Sequence, residues 1–125
     1  MLINNWLQDH NINFIPQYSH KEIILESGRR PFFDFAILNN DNSVKYFIEY
    51  NGEQHYHPTG GWNSEENFKI NQNRDIQKQK WCQKLNIPLY IIRYDDDIFK
   101  VLENIIKLEA EAPDMEEADG LEVEV

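Results

Sequence analysis

Apolar residues recur at helical spacing in three parts of the chain. Leucine, isoleucine and tryptophan side chains near the start predict a short helix at residues 2 to 9. The longest helix is predicted at residues 65 to 85, with Ser64 as its cap and acidic residues in its first turn. A last amphipathic helix is predicted at residues 97 to 108. The pattern therefore gives three helices separated by segments of a different period.

Runs of aromatic and β-branched residues between these helices predict strands. Residues 14 to 18 and 22 to 25 are interpreted as one or two short strands. Stronger runs at residues 32 to 38 and 44 to 50 are separated by a cluster of Asn, Asp and Ser, which is typical of a tight turn, so they predict a hairpin. Residues 88 to 94 predict a further, buried strand.

The hairpin also predicts which side chains are neighbours. A two-residue turn at Asp41 and Asn42 would place Asp34 opposite Glu49 on adjacent strands. Alternation then divides the side chains between two sheet faces. One face carries Phe33, Phe35, Ile37, Tyr46, Ile48 and Tyr50, and the other carries Asp34, Ala36, Leu38, Phe47, Glu49 and Asn51. The polar members collect at one end of the hairpin.

Composition divides the chain into a folded part and an acidic end. The 125 residues have a net charge of −10, with 41% apolar and 13% aromatic residues, enough for a real core. Residues 109 to 125 hold eight carboxylates and no Lys or Arg, whereas residues 1 to 108 hold 14 acidic and 12 basic side chains. We therefore expect one domain at residues 1 to 108 and a disordered tail at residues 109 to 125. The acidic balance argues against binding nucleic acid by bulk charge alone.

Other features limit the protein class. Cys82 is the single cysteine, so no internal disulfide can form, and a core position is the favoured interpretation of it. A zinc site from His55, His57 and Cys82 or Asp75 is a weak alternative because paired cysteines are missing. No run is long and apolar enough for a membrane helix, and the start lacks the features of a signal peptide. A soluble, cytoplasmic protein is expected.

The facing carboxylates of Asp34 and Glu49 suggest chemistry. Two acids side by side repel each other unless a positive group lies between them, and a hard divalent cation such as Mg²⁺ is one such group. The alternative is an ordinary ion pair at the sheet edge with one of three basic residues, namely Arg29, Arg30 and Lys45.

Four segments together resemble a known protein family. They are Phe-Asp-Phe at 33 to 35, Phe-Ile-Glu-Tyr-Asn-Gly-Glu-Gln-His-Tyr at 47 to 56, Arg-Asp-Ile-Gln-Lys at 74 to 78, and Ile-Pro-Leu-Tyr-Ile-Ile-Arg-Tyr at 87 to 94. In this order they resemble small endonuclease-type proteins of bacteriophages and large viruses in the PD-(D/E)xK superfamily. The nearest resemblance is to its very-short-patch repair (Vsr-like) branch, close to homing endonucleases with an EDxHD motif, over roughly residues 2 to 106.

This resemblance implies a fold and a metal site. The fold would be a restriction-endonuclease-like αβββαβ core, an α/β (α+β) architecture with a mixed central sheet flanked by helices. Asp34 would be the main ligand of Mg²⁺ or Mn²⁺, with Glu49 and the backbone of Tyr50 completing the site. The metal would activate water against a phosphodiester.

The resemblance implies roles for further polar residues. His55 would be a general base or would stabilise the departing oxygen, the alternative being a loop histidine that only makes a hydrogen bond. Asp75 and Lys78 would orient the site and contact phosphate, the alternative being an ion pair on a solvated helix face. Gln54 would support the site, and Arg93 would bind phosphate or neutralise Asp75. Basic residues for nucleic-acid binding would be Arg29, Arg30, Lys45, Lys69 and Lys80.

Two departures from the family pattern are present. Asn51 stands where relatives often have Asp and where the wider superfamily has its catalytic lysine, so Asn51 is a supporting residue here and Lys78 or His55 would have to compensate. Relatives also usually carry a Glu on the first helix, upstream of the segment that corresponds to Trp6 and Leu7, and no such Glu is found here.

Two functions are compatible with these patterns. The first is a Mg²⁺-dependent endonuclease or nickase acting on DNA, which could form a homodimer, as small nucleases of this fold often do. The second is a catalytically weak or inactive nuclease-fold binding protein, such as a phage-encoded inhibitor or accessory subunit. Its acidic tail would then mimic nucleic acid for a protein partner or cover the protein's own DNA-binding face, the alternative being a tail that only adds solubility.

Overall fold

A computed structural model of the protein describes residues 2 to 111, which form an α+β architecture of three helices and one four-stranded sheet. The elements are α1 Leu2–Asp9, β1 Phe14–Tyr18, β2 Phe33–Leu38, β3 Val44–Asn51, a 3-10 helix Glu53–His55, α2 Ser64–Leu85, β4 Leu89–Arg93 and α3 Ile98–Glu111. The strands lie in the order β1-β2-β3-β4. The first three are antiparallel, and β4 runs parallel to β3 after the α2 crossover. The predicted mixed α+β class is confirmed.

Helices cover both faces of the sheet. On one face α1 and α3 pack through buried aliphatic side chains, and the cluster consists of Ile3, Leu7, Phe35, Ile37, Tyr46, Ile48, Ile92, Leu102 and Ile105. On the other face α2 packs through Cys82 against a cluster that also holds Ile23, Phe33, Ala36 and Phe47. Cys82 is a core residue as predicted, and burial raises the pKa of its thiol to about 11.

The predicted hairpin register is confirmed, although its turn is longer than expected. Phe35 pairs with Ile48 and Ile37 with Tyr46, the register that places Asp34 opposite Glu49 as predicted. The loop holds three residues instead of two, because the amide of Asn39 donates to the carbonyl of Ser43 at 2.8 Å. Asn42 adopts the left-handed conformation (φ 69°), and a bulge directly after Ile37 restores the register. The bulge is what keeps Asp34 and Glu49 on neighbouring positions.

Phe33 lies on the opposite face from the one predicted. Its ring stacks on Phe47, with centroids 3.9 Å apart, and joins the cluster under α2. Strict alternation fails here because Phe33 is the first residue of β2 and its partner strand contains Gln17 in a left-handed conformation (φ 51°) beside this position. The prediction for the remaining apolar residues of the hairpin is confirmed.

The strand predicted at residues 22 to 25 is wrong, because this segment is a turn packed against α2. The amide of Leu25 bonds to the carbonyl of Arg29 at 2.9 Å, which closes the turn on itself. The carbonyl of Ile24 accepts from the indole N–H of Trp81 at 2.9 Å. Side chains of α2 and local turn bonds thus take the place of a neighbouring strand.

Two helix ends also differ from the predictions. Asn63, in a left-handed conformation, is the residue before α2, it makes no side-chain capping bond, and Ser64 is already inside the helix. Helix α3 continues to Glu111, three residues past the predicted end of the domain, so the predicted tail begins as helix. The rest of that tail lies outside the described residues. Within residues 2 to 111, no helix is long and apolar enough to cross a membrane.

The last turn of α3 is joined to the sheet. The hydroxyl of Tyr90 in β4 donates to the carboxylate of Glu109 at 2.5 Å. Burial and this hydrogen bond raise the pKa of Tyr90 to about 12. The contact explains why the helix persists into a segment whose composition predicts disorder.

Candidate active site

Strand directions bring most of the predicted site residues to one end of the sheet. Because β2 and β3 are antiparallel, Asp34 near the start of β2 lies beside Glu49 near the end of β3. Because β4 is parallel to β3, its last residue, Arg93, reaches the same end and pairs with Asn51. Helix α2 lies against this region and brings Lys78 to Glu49. We call this region the acidic end of the sheet.

Lys78 and Glu49 form an ion pair at the acidic end. The Nζ atom of Lys78 lies 2.5 Å from Oε1 of Glu49, and Lys78 is only 6% exposed. The same ammonium group donates to the carbonyl of Phe32 at 2.8 Å and lies 4.5 Å from the ring centroid of Phe33. The alternative of Lys78 in a surface pair with Asp75 is therefore wrong, since a buried lysine needs a partner inside the protein.

Glu49 is held in a strongly perturbed environment. Its side chain is 12% exposed, and burial raises its pKa. The nearby carboxylates of Asp34 and Asp75 raise the pKa further, whereas Lys78 opposes the shift. Burial is the dominant cause, because it disfavours the charged form. Perturbed titrating groups that lie together are a common property of functional sites.

Asp34 reaches across the hairpin to the backbone of β3. Its Oδ2 atom accepts a hydrogen bond from the amide of Tyr50 at 2.8 Å. Its Oδ1 atom lies 3.5 Å from Nε2 of the Gln17 side chain, a weak contact. The side chain is half-buried, so the carboxylate is oriented by the backbone while Oδ1 keeps capacity for another ligand.

His55 and Asp75 form a second polar pair beside the first. The Nδ1 atom of His55 lies 2.8 Å from Oδ2 of Asp75, with both side chains about three-quarters buried, at 22% and 25% exposure. Since this contact uses Nδ1, Nε2 is the ring nitrogen that remains for chemistry. Gln54, the predicted supporting residue, folds back over Gly52, where a Cβ atom would lie 2.6 Å from Oε1 of Gln54. The flexible end of the Gln54 side chain therefore lies directly against the backbone of Gly52.

Asn51 occupies a buried position within the same cluster. It is 6% exposed and lies where the parallel strands β3 and β4 end. With Glu49, Asp75, Lys78 and three neighbours on α2 and β4 it lines a cavity of about 10 Å³, close to the least space that holds one water molecule. Asn51 is neutral, so Lys78 is the positively charged side chain among the residues that line this cavity.

Arg93 does not neutralise Asp75, so that prediction is wrong. Its Nε atom donates to Asp95 at 2.9 Å, and Asp75 is paired with His55 instead. The guanidinium carbon lies 3.9 Å from the ring centroid of Tyr56. Sequence reasoning missed this tyrosine, although an aromatic residue directly after a predicted site histidine was a usable signal. Asp95, two positions along the chain, is therefore the partner of Arg93 in place of Asp75.

The basic residues predicted to bind nucleic acid are dispersed over the surface. Arg29, Arg30, Lys45 and Lys80 are all exposed. Arg29 and Arg30 precede β2 and lie toward the acidic end. Lys45 is near the start of β3, four residues and about 13 Å from Glu49 along the strand. Lys80 is about 200° around α2 from Lys78 and points away from the sheet. These side chains do not form one basic surface.

The oxygen-rich donor set of the acidic end fits a hard cation. Two carboxylates, Asp34 and Glu49, together with the carbonyl of Tyr50, are the ligand types that Mg²⁺ and Mn²⁺ prefer. Among the residues that the structure describes, no group of three or more His, Cys, Asp or Glu side chains is placed to hold a metal ion. His55 and His57 therefore do not form the alternative zinc site. A metal at the acidic end would depend on two carboxylates, backbone and water.

No protein-family model matches this chain, and neither a curated protein nor a solved structure matches it. The resemblance to PD-(D/E)xK proteins is therefore supported by its motifs alone.

Proposed function

We propose that the protein is a metal-dependent nuclease, an endonuclease or nickase that hydrolyses phosphodiester bonds in DNA. One observation carries the proposal: residues spread over 45 positions of the sequence are joined by contacts into one polar cluster. Asp34 lies beside Glu49, Glu49 binds Lys78, and Asp75, which binds His55, lines the same small cavity as Glu49 and Lys78. A buried cluster of this kind has a cost in stability, which function can explain.

The architecture supports the same proposal. The order α1-β1-β2-β3-α2-β4 is the order expected for a restriction-endonuclease-like core. The proposed site lies at the end of the sheet where β3 and β4 terminate, with α2 against it. A fold of this type hosts both enzymes and binding proteins, so the site residues must decide between them.

The carboxylates would hold the metal. Mg²⁺ bound by Asp34, Glu49 and the carbonyl of Tyr50 would supply activation of water and neutralisation of phosphate charge. Within the chain, the amide of Tyr50 orients Asp34. Burial raises the pKa of Glu49 and Lys78 opposes that rise, so the ion pair favours the carboxylate form that a metal ligand requires.

Lys78 would take the role of the strand lysine that Asn51 replaces. Its ammonium group reaches the cluster from α2 instead of from β3. Its N–H groups are directed to Glu49 and to the carbonyl of Phe32, so its charge would act on the site through Glu49. A lysine on a neighbouring helix can thus restore the positive charge that the strand lacks.

His55 would transfer a proton at Nε2. Asp75 engages Nδ1, which fixes the ring orientation, so Asp75 is a positioning residue. An imidazole exchanges protons near neutral pH and can accept one from water or donate one to the departing oxygen.

The first test is nicking of supercoiled plasmid in Mg²⁺, in Mn²⁺ and in EDTA. We expect nicking with either metal and none in EDTA. Asp34→Asn and His55→Ala should each lower the rate by about 100-fold or more. The matched control is His57→Ala, because His57 lies on the same loop, is half-exposed and contacts Glu53 instead of the cluster. Its rate should stay within about twofold of the wild-type rate.

Calorimetric titration of metal into the protein and into Asp34→Asn completes the test. Metal binding that the variant loses would support the proposal. Absence of nicking together with absence of metal binding up to about 10 mM, beyond the range of weak carboxylate sites, would contradict it. That result would favour the second function, a nuclease-fold protein that acts by binding.

A further inference from the structure

Three side chains next to the acidic end contact one another at the surface, with the guanidinium group of Arg93 over the ring of Tyr56 and the ring of Tyr94 tilted beside it. The guanidinium carbon of Arg93 lies 3.9 Å from the ring centroid of Tyr56. The rings of Tyr56 and Tyr94 are 5.9 Å apart between centroids and inclined by 43°. We call Tyr56, Arg93 and Tyr94 the stacked face. An arrangement of two rings and one planar cation presents flat surfaces to a ligand.

The stacked face is attached to the candidate active site at two points. Tyr56 directly follows His55 in the chain. The amide of Tyr94 donates to the carbonyl of Asn51 at 2.9 Å, and Arg93 pairs with Asn51 across the two parallel strands. A group bound on the stacked face would therefore lie close to His55 and Asn51.

The charge on the stacked face is largely compensated. Arg93 donates to Asp95 from Nε at 2.9 Å and from Nη2 at 3.4 Å, and its backbone amide donates to Asp96 at 2.7 Å. A phosphate would meet these carboxylates as well as the guanidinium, so the face is poorly suited to a phosphate. The carboxylate of Asp95 instead holds the guanidinium plane in place, which favours stacking.

The exposed surface of these residues suits a flat, uncharged ring. The side chain of Arg93 is 44% exposed and Tyr94 is 37% exposed. Tyrosine rings and arginine planes bind nucleobases by stacking, with little dependence on the identity of the base. Within a duplex each base is already stacked between its neighbours, so only an unpaired base can reach such a surface.

We propose that the stacked face binds an unpaired nucleobase, so that single-stranded or locally unpaired nucleic acid is the substrate class of the acidic end. The proposal rests on the nuclease function proposed above. The dispersal of Arg29, Arg30, Lys45 and Lys80 is consistent with it, because a protein that binds a long duplex by its phosphates needs one continuous basic surface.

The test is equilibrium binding by fluorescence anisotropy with the full chain in EDTA, so that cleavage plays no part. Three labelled probes of about 12 nucleotides are compared: a mixed-sequence single strand, the same strand in a duplex, and an abasic strand with the same phosphates. The single strand should bind at least about tenfold more tightly than the duplex or the abasic strand.

Variants of Tyr94 identify the surface. Tyr94→Ala should weaken single-strand binding by about tenfold, whereas Tyr94→Phe should retain it. The matched control is Phe99→Ala on α3, which removes an aromatic ring of similar exposure, 44%. The salt dependence of binding should be the same for wild type and Tyr94→Ala, since the number of phosphate contacts is unchanged.

Three results would overturn this inference. They are equal binding of the three probes, unchanged binding by Tyr94→Ala, and no binding of any probe. None of them contradicts the nuclease proposal by itself, because plasmid nicking is measured separately. Conversely, selective single-strand binding with no cleavage of that strand in Mg²⁺ or Mn²⁺ would support the stacked face and contradict the nuclease.

Discussion

Lys78 provides a residue-scale test of the acidic end. Lys78→Met keeps a long apolar chain but leaves Glu49 buried without its cation. Removing one partner of a buried pair typically costs about 3 kcal/mol, so we expect a loss of this size in the free energy of unfolding, measured by urea denaturation at pH 7. The control is Lys80→Met on the exposed side of α2, which should change stability by about 0.5 kcal/mol or less.

The stability that Lys78→Met loses should depend on pH. Because the pKa of Glu49 is raised in the folded chain, the folded state binds its proton more tightly than the unfolded state does. Stability therefore falls as pH rises from the ordinary pKa of a glutamate through the raised one. Loss of Lys78 raises that pKa further, so Lys78→Met should recover stability between pH 7 and pH 5. An equal loss at both pH values would contradict a raised pKa of Glu49 in the folded chain.

Individual side chains also show where sequence reasoning was sufficient. The proximity of Asp34 and Glu49 followed from hairpin pairing, which depends on residues close in the chain. The partner of Lys78 did not follow, because the rotation of α2 over the sheet decides it. The partner of Arg93 was predicted wrongly because a nearby carboxylate, Asp95, was not weighed against Asp75.

At the scale of elements, the bond between β4 and α3 can be tested. Tyr90→Phe removes the hydroxyl that Glu109 accepts, and we expect a loss of about 1 kcal/mol in the free energy of unfolding at pH 8. Since the pKa of Tyr90 is raised to about 12, its contribution is intact below pH 10 and is lost as pH rises toward 12.

Urea denaturation at pH 8 and pH 11 checks this expectation. The gap in stability between wild type and Tyr90→Phe should be smaller at pH 11. Tyr94→Phe is the control, because Tyr94 is not bonded to α3. A gap that stays constant with pH would show that the hydroxyl is not held by Glu109.

Helices and strands with a regular hydrophobic periodicity were predictable, whereas segments whose structure is determined by packing were not. All three helices and four strands were identified from spacing and composition. The segment at residues 22 to 25 has the apolar, β-branched composition of a strand, yet Ile23 and Leu25 are buried in a turn under α2. The length of the hairpin turn was predicted wrongly, because Asn42 adopts a positive φ angle that allows one more residue in the turn. The acidic composition after residue 108 predicted disorder, because the hydrogen bond between Tyr90 and Glu109 cannot be predicted from composition.

At the scale of the whole molecule, charge separates the described body from the residues beyond it. Residues 112 to 125 contain six carboxylates and no basic residue, so they carry more than half of the net charge of −10. If they compete with nucleic acid, a chain ending after Glu111 should bind single-stranded DNA several-fold more tightly at about 50 mM salt. The difference should vanish at high salt, where charges are screened.

A full-length variant with those six acids changed to amides is the matched control, since it preserves length. It should bind as tightly as the shortened chain if charge is responsible. Unchanged binding in both variants would leave solubility as the role of this segment. The shortened chain must retain Glu109, because its bond to Tyr90 belongs to the folded body.

The α2 crossover between β3 and β4 also sets an order in time. On the ribosome, the hairpin that carries Asp34 and Glu49 is made before Lys78, and at about 5 to 20 residues per second the delay is roughly two to six seconds. Parallel pairing of β4 must wait longer still, until the crossover is complete. A nascent chain therefore holds both carboxylates without their cation, and the polar cluster is assembled only when the domain is nearly finished.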